Sequence, residues 1–133
     1  MAIGAYEELT GRILKCAFHV QNTLGCGFLE KVYESALMVA LAKSNIQTAQ
    51  QVPLRVYYEG VLVGDYTADM IVERTVLLEL KATEENPPIY TAQLLNYLKA
   101  TKLPVGLLLN FGRPRLYYRR FVLREGGNYG AGE

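Results

Sequence analysis

Histidine, cysteine and surplus charge are all scarce in this chain of 133 residues, and each shortage closes a route. One His and two cysteines, Cys16 and Cys26, with no C-x-x-C pair, do not make a zinc site of the usual four-ligand kind. Two cysteines are also no disulfide scaffold for a chain long enough to rely on a core, so both read as reduced thiols of a cytoplasmic protein. A formal net charge of +1 excludes general cationic attraction, and any grip on phosphate has to come from a local patch or a bound metal. The first residues include Glu7 and Glu8 and lack a cationic start followed by an apolar block, so no secretory signal is expected. The longest apolar runs, such as residues 105–109, are far too short to cross a bilayer. Gly25-Cys26-Gly27 lacks the further glycines and the lysine of a phosphate-binding loop.

What is present is an ordinary globular composition, 50% hydrophobic and 20% charged, which suits one domain with one core. Apolar residues at three- and four-residue steps predict helices over 6–24, with Gly25 closing it, and over 29–44, closed by Asn45. The period then changes to that of strands, over 52–58, 61–72 and 75–82, with a turn at Glu59-Gly60. Asn86-Pro87-Pro88 introduces a third helix over 89–102. A nearly all-apolar strand over 105–111 follows, then an edge strand over 115–123. A strand that follows a hairpin and a helix implies one crossover, hence an α/β fold with a central mixed β-sheet flanked by helices. Residues 1–125 form the domain, and the glycine-rich residues 126–133 read as a flexible tail.

The chemistry gathers in the strand pair. If Glu73-Arg74-Thr75 is a three-residue hairpin loop, Val72 faces Val76, Ile71 faces Leu77, and Asp69 faces Glu79. The two carboxylates would then sit with Cβ atoms roughly 5 Å apart. Lys81, two residues beyond Glu79, shares its face about 6–7 Å along the strand. Opposed like charges on apolar strands are destabilising, and one carboxyl would be driven to keep its proton. A divalent cation removes the conflict, and hard oxygen ligands select Mg2+ or Mn2+. The competing reading is a solvated structural ion cluster. Glu30, in the first turn of the second helix, is also what a helix dipole favours; Tyr33 shares its face, as Tyr97 shares that of Gln93. His19 by itself says little.

The segments Leu24-Gly25-Cys26-Gly27-Phe28-Leu29-Glu30-Lys31-Val32-Tyr33, Tyr66-Thr67-Ala68-Asp69, Leu78-Glu79-Leu80-Lys81-Ala82, Ala92-Gln93-Leu94-Leu95-Asn96-Tyr97 and Gly106-Leu107-Leu108-Leu109-Asn110-Phe111 occur in this order across the chain. Together they resemble the bacterial GxxExxY proteins, small members of the PD-(D/E)xK nuclease superfamily. The resemblance implies a restriction-endonuclease-like core and metal binding by Asp69 and Glu79. It makes Lys81 the catalytic lysine, Glu30 a further acidic ligand or water contact, and Gln93 a positioning residue. His19, Tyr33 and Tyr97 would support these from behind. The implied reaction is hydrolysis of a phosphodiester, expected in DNA, at a centre holding Mg2+ or Mn2+, with a 5′ phosphate and a 3′ hydroxyl as products.

Arg113, Arg115, Arg119 and Arg120, interleaved with Tyr117 and Tyr118, offer a modest footprint for nucleic acid. The same charges could instead guard an edge strand against aggregation. Two other functions compete with a nuclease: a module that holds nucleic acid or a nucleotide without cutting it, and an interaction subunit of a larger assembly. A homodimer would give so small a fold more surface with which to grip a duplex, although no residue pattern demands one.

Overall fold

The computed structural model describes residues 2–132, with side chains from residue 6. Helix α1 (Ala2–Leu24) and helix α2 (Glu30–Lys43) lead into strands β1 (Thr48–Tyr58), β2 (Val61–Val72) and β3 (Val76–Lys81). Helix α3 (Pro88–Thr101) crosses to β4 (Val105–Asn110), and β5 (Tyr117–Leu123) and β6 (Tyr129–Ala131) complete the chain. The six strands form one sheet in the order of the sequence, antiparallel throughout except for the parallel pair β3–β4 that α3 connects. This is the expected single α/β domain with a mixed sheet.

Alternation along β3 divides the interior. Val76, Leu78 and Leu80 join Ile13, Val20, Leu37 and Leu41 in a core beneath α1 and α2. Leu77 points the other way, to Leu94 and Leu98 of α3. Strand β4 is buried along its whole length, as its run of apolar residues requires of a strand covered on both faces. Each fully buried Leu there stabilises the fold by roughly 2 kcal/mol.

The glycine-rich segment after residue 125, read as a flexible tail, carries β6, so β5 lies inside the sheet and is not its edge. The physical reason is Tyr129, whose hydroxyl donates to the carbonyls of Leu103 (2.6 Å) and Leu98 (3.1 Å) while its ring packs on the α3 core. Among the described residues, no helix is long and apolar enough to cross a membrane.

Candidate active site

Glu73 and Arg74 both take left-handed conformations (φ 51° and 55°), which closes the three-residue loop between β2 and β3. The resulting pairs are Met70–Leu78, Ile71–Leu77 and Val72–Val76, the register expected from the loop length. One residue further along, the ladder ends. The Asp69 amide donates to Glu79 Oε2 at 3.0 Å, and the Leu80 amide donates to Asp69 Oδ2 at 2.7 Å. Each acid therefore takes the place of a backbone carbonyl on the neighbouring strand. One oxygen of each carboxylate is pinned, and Glu79 Oε1 and Asp69 Oδ1 stay outside these backbone bonds.

The surroundings are costly for negative charge. Glu79 is 4% exposed. Burial, and then the charge of Asp69, push its carboxyl up to about 8, against the opposing pull of the Asp69 amide and Lys81. Asp69 is raised by burial above all, with the Leu80 amide and Lys81 opposing. Glu30 is raised by burial and then by Asp69, with Lys81 again opposing. Asp69 raises Glu30 and Glu79, Glu34 raises Asp69 and Glu30, and Lys81 opposes the shift in all three, so these acids and the lysine make one electrostatic cluster.

Helix α3 supplies the other side. Lys81 Nζ lies 3.4 Å from Gln93 Oε1 and 4.6 Å from the centre of the Tyr90 ring. Gln93 Nε2 in turn donates to the Tyr97 hydroxyl at 3.2 Å. One helical turn separates Gln93 from Tyr97, so both reach the same flank of the sheet. Tyr33 acts at a distance from the acids. Its hydroxyl donates to the Gly25 carbonyl (2.6 Å) and accepts from the Phe28 amide (3.3 Å), and its ring stacks on Phe111 at 4.9 Å. It thereby clamps the loop that delivers Glu30, a loop in which Gly25 and Gly27 hold φ of 71° and 113° that favour glycine.

Two residues escaped the sequence reading. Glu34, 3% exposed, receives Gln50 Nε2 (2.6 Å), Gln51 Nε2 (2.9 Å) and Lys31 Nζ (3.4 Å). Its four-residue spacing from Glu30 put both on one helix face and could have revealed it. Gln51 gave no signal. It stands between the pairs Gln50–Met70 and Val52–Ala68, opposite Asp69, with a left-handed φ of 52°. Met70 packs under α1 and α2, whereas Ala68 packs with α3 and the Tyr66 ring lies 5.6 Å from that of Tyr97. Residues two apart on a strand share a face, so the β1–β2 hairpin turns over at Gln51 and Asp69.

Other expected contributors lie elsewhere. His19 is exposed on α1, and no hydrogen bond joins it to the cluster among the described residues. The arginines do not share one strand face, because β5 begins only at Tyr117 and leaves Arg113 and Arg115 in the preceding loop. Arg113 Nε is bonded to the Glu84 carbonyl. Arg119 lies 4.9 Å over the Phe121 ring. Arg120 is 4% exposed and turns inward, so the sheet's alternation withdraws it from any surface patch.

One groove, of about 1050 Å3, is bordered by Ile46, Thr48, Ile71 and Glu73 and holds none of the clustered acids. A second, of about 700 Å3, is bordered by Gln93 and Tyr97 and adjoins the cluster.

The donor set suits a hard divalent cation in one respect and leaves it incomplete in another. Asp69 and Glu79 each retain an oxygen, and their mutual repulsion is what a cation relieves. Among the described residues, no three His, Cys, Asp or Glu side chains already enclose an ion. Mg2+ is commonly held by one or two carboxylates, with waters and substrate phosphate completing the shell, so two acids are a workable start.

A family model described as the PD-(D/E)XK nuclease superfamily matches residues 7–121. The crystal structure of SSO0001 superposes with a TM-score of 0.51 at 16% identity, over 90% of this chain and 60% of that one. The likeness is one of fold, and this chain spans less than two thirds of that protein's length. No curated protein matches.

Proposed function

The chain belongs to the PD-(D/E)XK nuclease superfamily, and from that premise we propose that it is a metal-dependent phosphodiester hydrolase acting on DNA. The observation that carries the reading is that Glu79 accepts the Asp69 amide while Asp69 accepts the Leu80 amide, with Lys81 next along the strand and tethered to Gln93. The free oxygens of Asp69 and Glu79 would hold Mg2+ or Mn2+, and Glu30 would contribute through a water or directly. When bound, such a cation polarises the scissile phosphate and offsets charge on the leaving oxygen.

The chain's own groups have separable tasks. Lys81 orients the attacking water and stabilises negative charge on the phosphoryl oxygens. Gln93 fixes the Lys81 ammonium, and Tyr97 fixes the Gln93 amide. The water oxygen bonds to phosphorus as the bond to the 3′ oxygen breaks; the proton the water gives up passes to solvent, and the departing 3′ oxygen takes one from solvent. The finer placement among GxxExxY proteins rests on the ordered motifs from Gly27 to Phe111. A homodimer would extend the surface available to a duplex.

Incubation with single-stranded, duplex and branched DNA, and with RNA, tests the activity in Mg2+, Mn2+ or EDTA. Cutting is expected in metal alone and is expected to vanish in Glu79→Gln and Lys81→Ala. Cutting that persists in those variants belongs to a contaminant and refutes the assignment. Metal binding without cutting of any substrate would favour the non-cleaving module instead, and no metal binding would favour an interaction subunit.

A further inference from the structure

We propose that the cleft between the β1–β2 hairpin and α3 binds single-stranded nucleic acid, stacking bases on Tyr66 and Tyr57 and gripping phosphates with Arg55 and Lys99. The proposal rests on the nuclease reading for its purpose, because it supplies the track by which a strand would reach Asp69 and Glu79. Its evidence is separate from theirs.

The hairpin is longer than the sheet can use. β1 and β2 run for 11 and 12 residues, but β3 pairs with β2 only from Met70 to Val72. Beyond the turnover at Asp69 the hairpin leaves β3 behind and leans over α3, where Tyr66 meets Tyr97. A packing role alone does not account for what it then shows to solvent. Tyr57 is 59% exposed and Tyr66 49%. Such flat, half-open rings are the platforms on which unpaired bases stack, independently of sequence.

The charge around the cleft is of one sign. Its border includes Arg55 and Lys99, and no acidic residue. The one ion pair among the described residues joins Lys31 and Glu34, so neither Arg55 nor Lys99 is neutralised by a close carboxylate. Asp65 faces Arg55 across the hairpin but does not border the cleft. An apolar and aromatic floor bordered by two cations, neither of them in a close ion pair, complements a strand of stacked bases and phosphates.

Size and position narrow the occupant further. About 700 Å3 is the volume of a small-ligand pocket, suited to one or two unstacked nucleotides and not to an intact duplex. Gln93 and Tyr97 belong both to the cleft's border and to the network on Lys81, so the cleft adjoins the side of the site that Lys81 occupies.

The test is fluorescence anisotropy in EDTA, where cutting cannot interfere, with oligo-dT, oligo-U and a blunt duplex of equal length. Single strands are expected to bind at least about tenfold more tightly than the duplex, with an affinity that falls as salt rises. Tyr66→Ala should weaken binding about tenfold or more, Tyr66→Phe should retain it, and Arg55→Glu with Lys99→Glu should abolish it. These positions are exposed, and circular dichroism verifies that each variant folds. Equal affinity for duplex and single strand would overturn the proposal, as would unchanged binding in Tyr66→Ala, or self-association through the hairpin in place of nucleic-acid binding. Binding through Tyr66 without cleavage in metal would sustain the cleft and refute the nuclease reading. Cleavage with an unchanged KM in Tyr66→Ala would do the reverse.

Discussion

The Asp69 amide donates to the Glu79 carboxylate at 3.0 Å, so the second acid is held by the backbone of the first. The arrangement fixes one oxygen of Glu79 in the sheet and leaves the other outside the backbone bonds, where the proposed cation would be held. It also buries a charge that the fold tolerates poorly, and stability and function therefore pull on this residue in opposite directions.

Glu79→Gln separates the two. The amide oxygen can still accept from Asp69, but the buried charge is gone. At pH 9 in EDTA the variant is expected to be more stable than the parent chain by roughly 1–3 kcal/mol in urea unfolding, because an ionised buried carboxylate is costly. Cleavage should fall about 100-fold or more. A variant less stable than the parent at pH 9 would mean that the ionised Glu79 is favourable where it stands.

The same group sets a pH dependence. Its carboxyl is pushed to about 8 in the folded chain, above the ordinary 4.5, so the folded state keeps a proton that the unfolded chain gives up. This contribution is complete below about pH 4.5, declines as pH rises towards 8 and is lost beyond it. The raised carboxyls of Asp69 and Glu30 act in the same direction. In EDTA the unfolding free energy should fall by roughly 2–3 kcal/mol between pH 6 and pH 9, and Glu79→Gln should flatten the profile. Saturating Mg2+ should restore stability at pH 9 by favouring the ionised acids. A flat profile in the parent chain would contradict the burial argument.

Gln51→Gly tests the turnover in the hairpin. Glycine adopts a φ of 52° without the penalty a side chain carries there, which favours the fold by about 1 kcal/mol. It also removes the amide that donates to Glu34 at 2.9 Å. Unchanged or raised thermal stability together with a several-fold loss of cleavage is expected. Retention of full activity would show that Gln51 only shapes the backbone.

Asn110 ties the end of β4 to the segment that follows Lys81. Its Oδ1 accepts the amides of Thr83 (3.0 Å) and Gly112 (2.9 Å), and its Nδ2 donates to Asn86 Oδ1 at 2.7 Å. Asn110 is buried but its partners reach solvent in part, so Asn110→Ala removes these hydrogen bonds and should cost roughly 1–2 kcal/mol in denaturant unfolding. Hydrogen exchange should accelerate over residues 83–86 before it does in β3. Uniform acceleration across the sheet would place the loss in the core instead.

Much of the fold was legible because it repeats locally. Helical spacing located α1, α2 and α3 to within a few residues. A three-residue loop set the β2–β3 register from Val72–Val76 to Met70–Leu78; Asp69 and Glu79, expected to face each other next, lie just past the last pair, where their carboxylates bond to backbone amides instead. Strand β6 was not legible, because its pairing depends on Tyr129 reaching two carbonyls near the end of α3. Arg113, Arg115, Arg119 and Arg120 read as one modest footprint for nucleic acid, but alternation in β5 and the late start of that strand divided them among loop, ring and interior.

The sequence by itself determined the order of the elements as far as β5 and the β2–β3 register, since periods of 2 and 3.6 residues and the length of a tight loop are properties of a short stretch of chain. Only the tertiary structure decided that Glu34 and Gln51 stand behind the site, that the hairpin turns over at Asp69, and that Tyr66 comes to rest against Tyr97. Those outcomes depend on how helices and sheet pack across long separations, where burial and contact, rather than any local pattern, select the geometry.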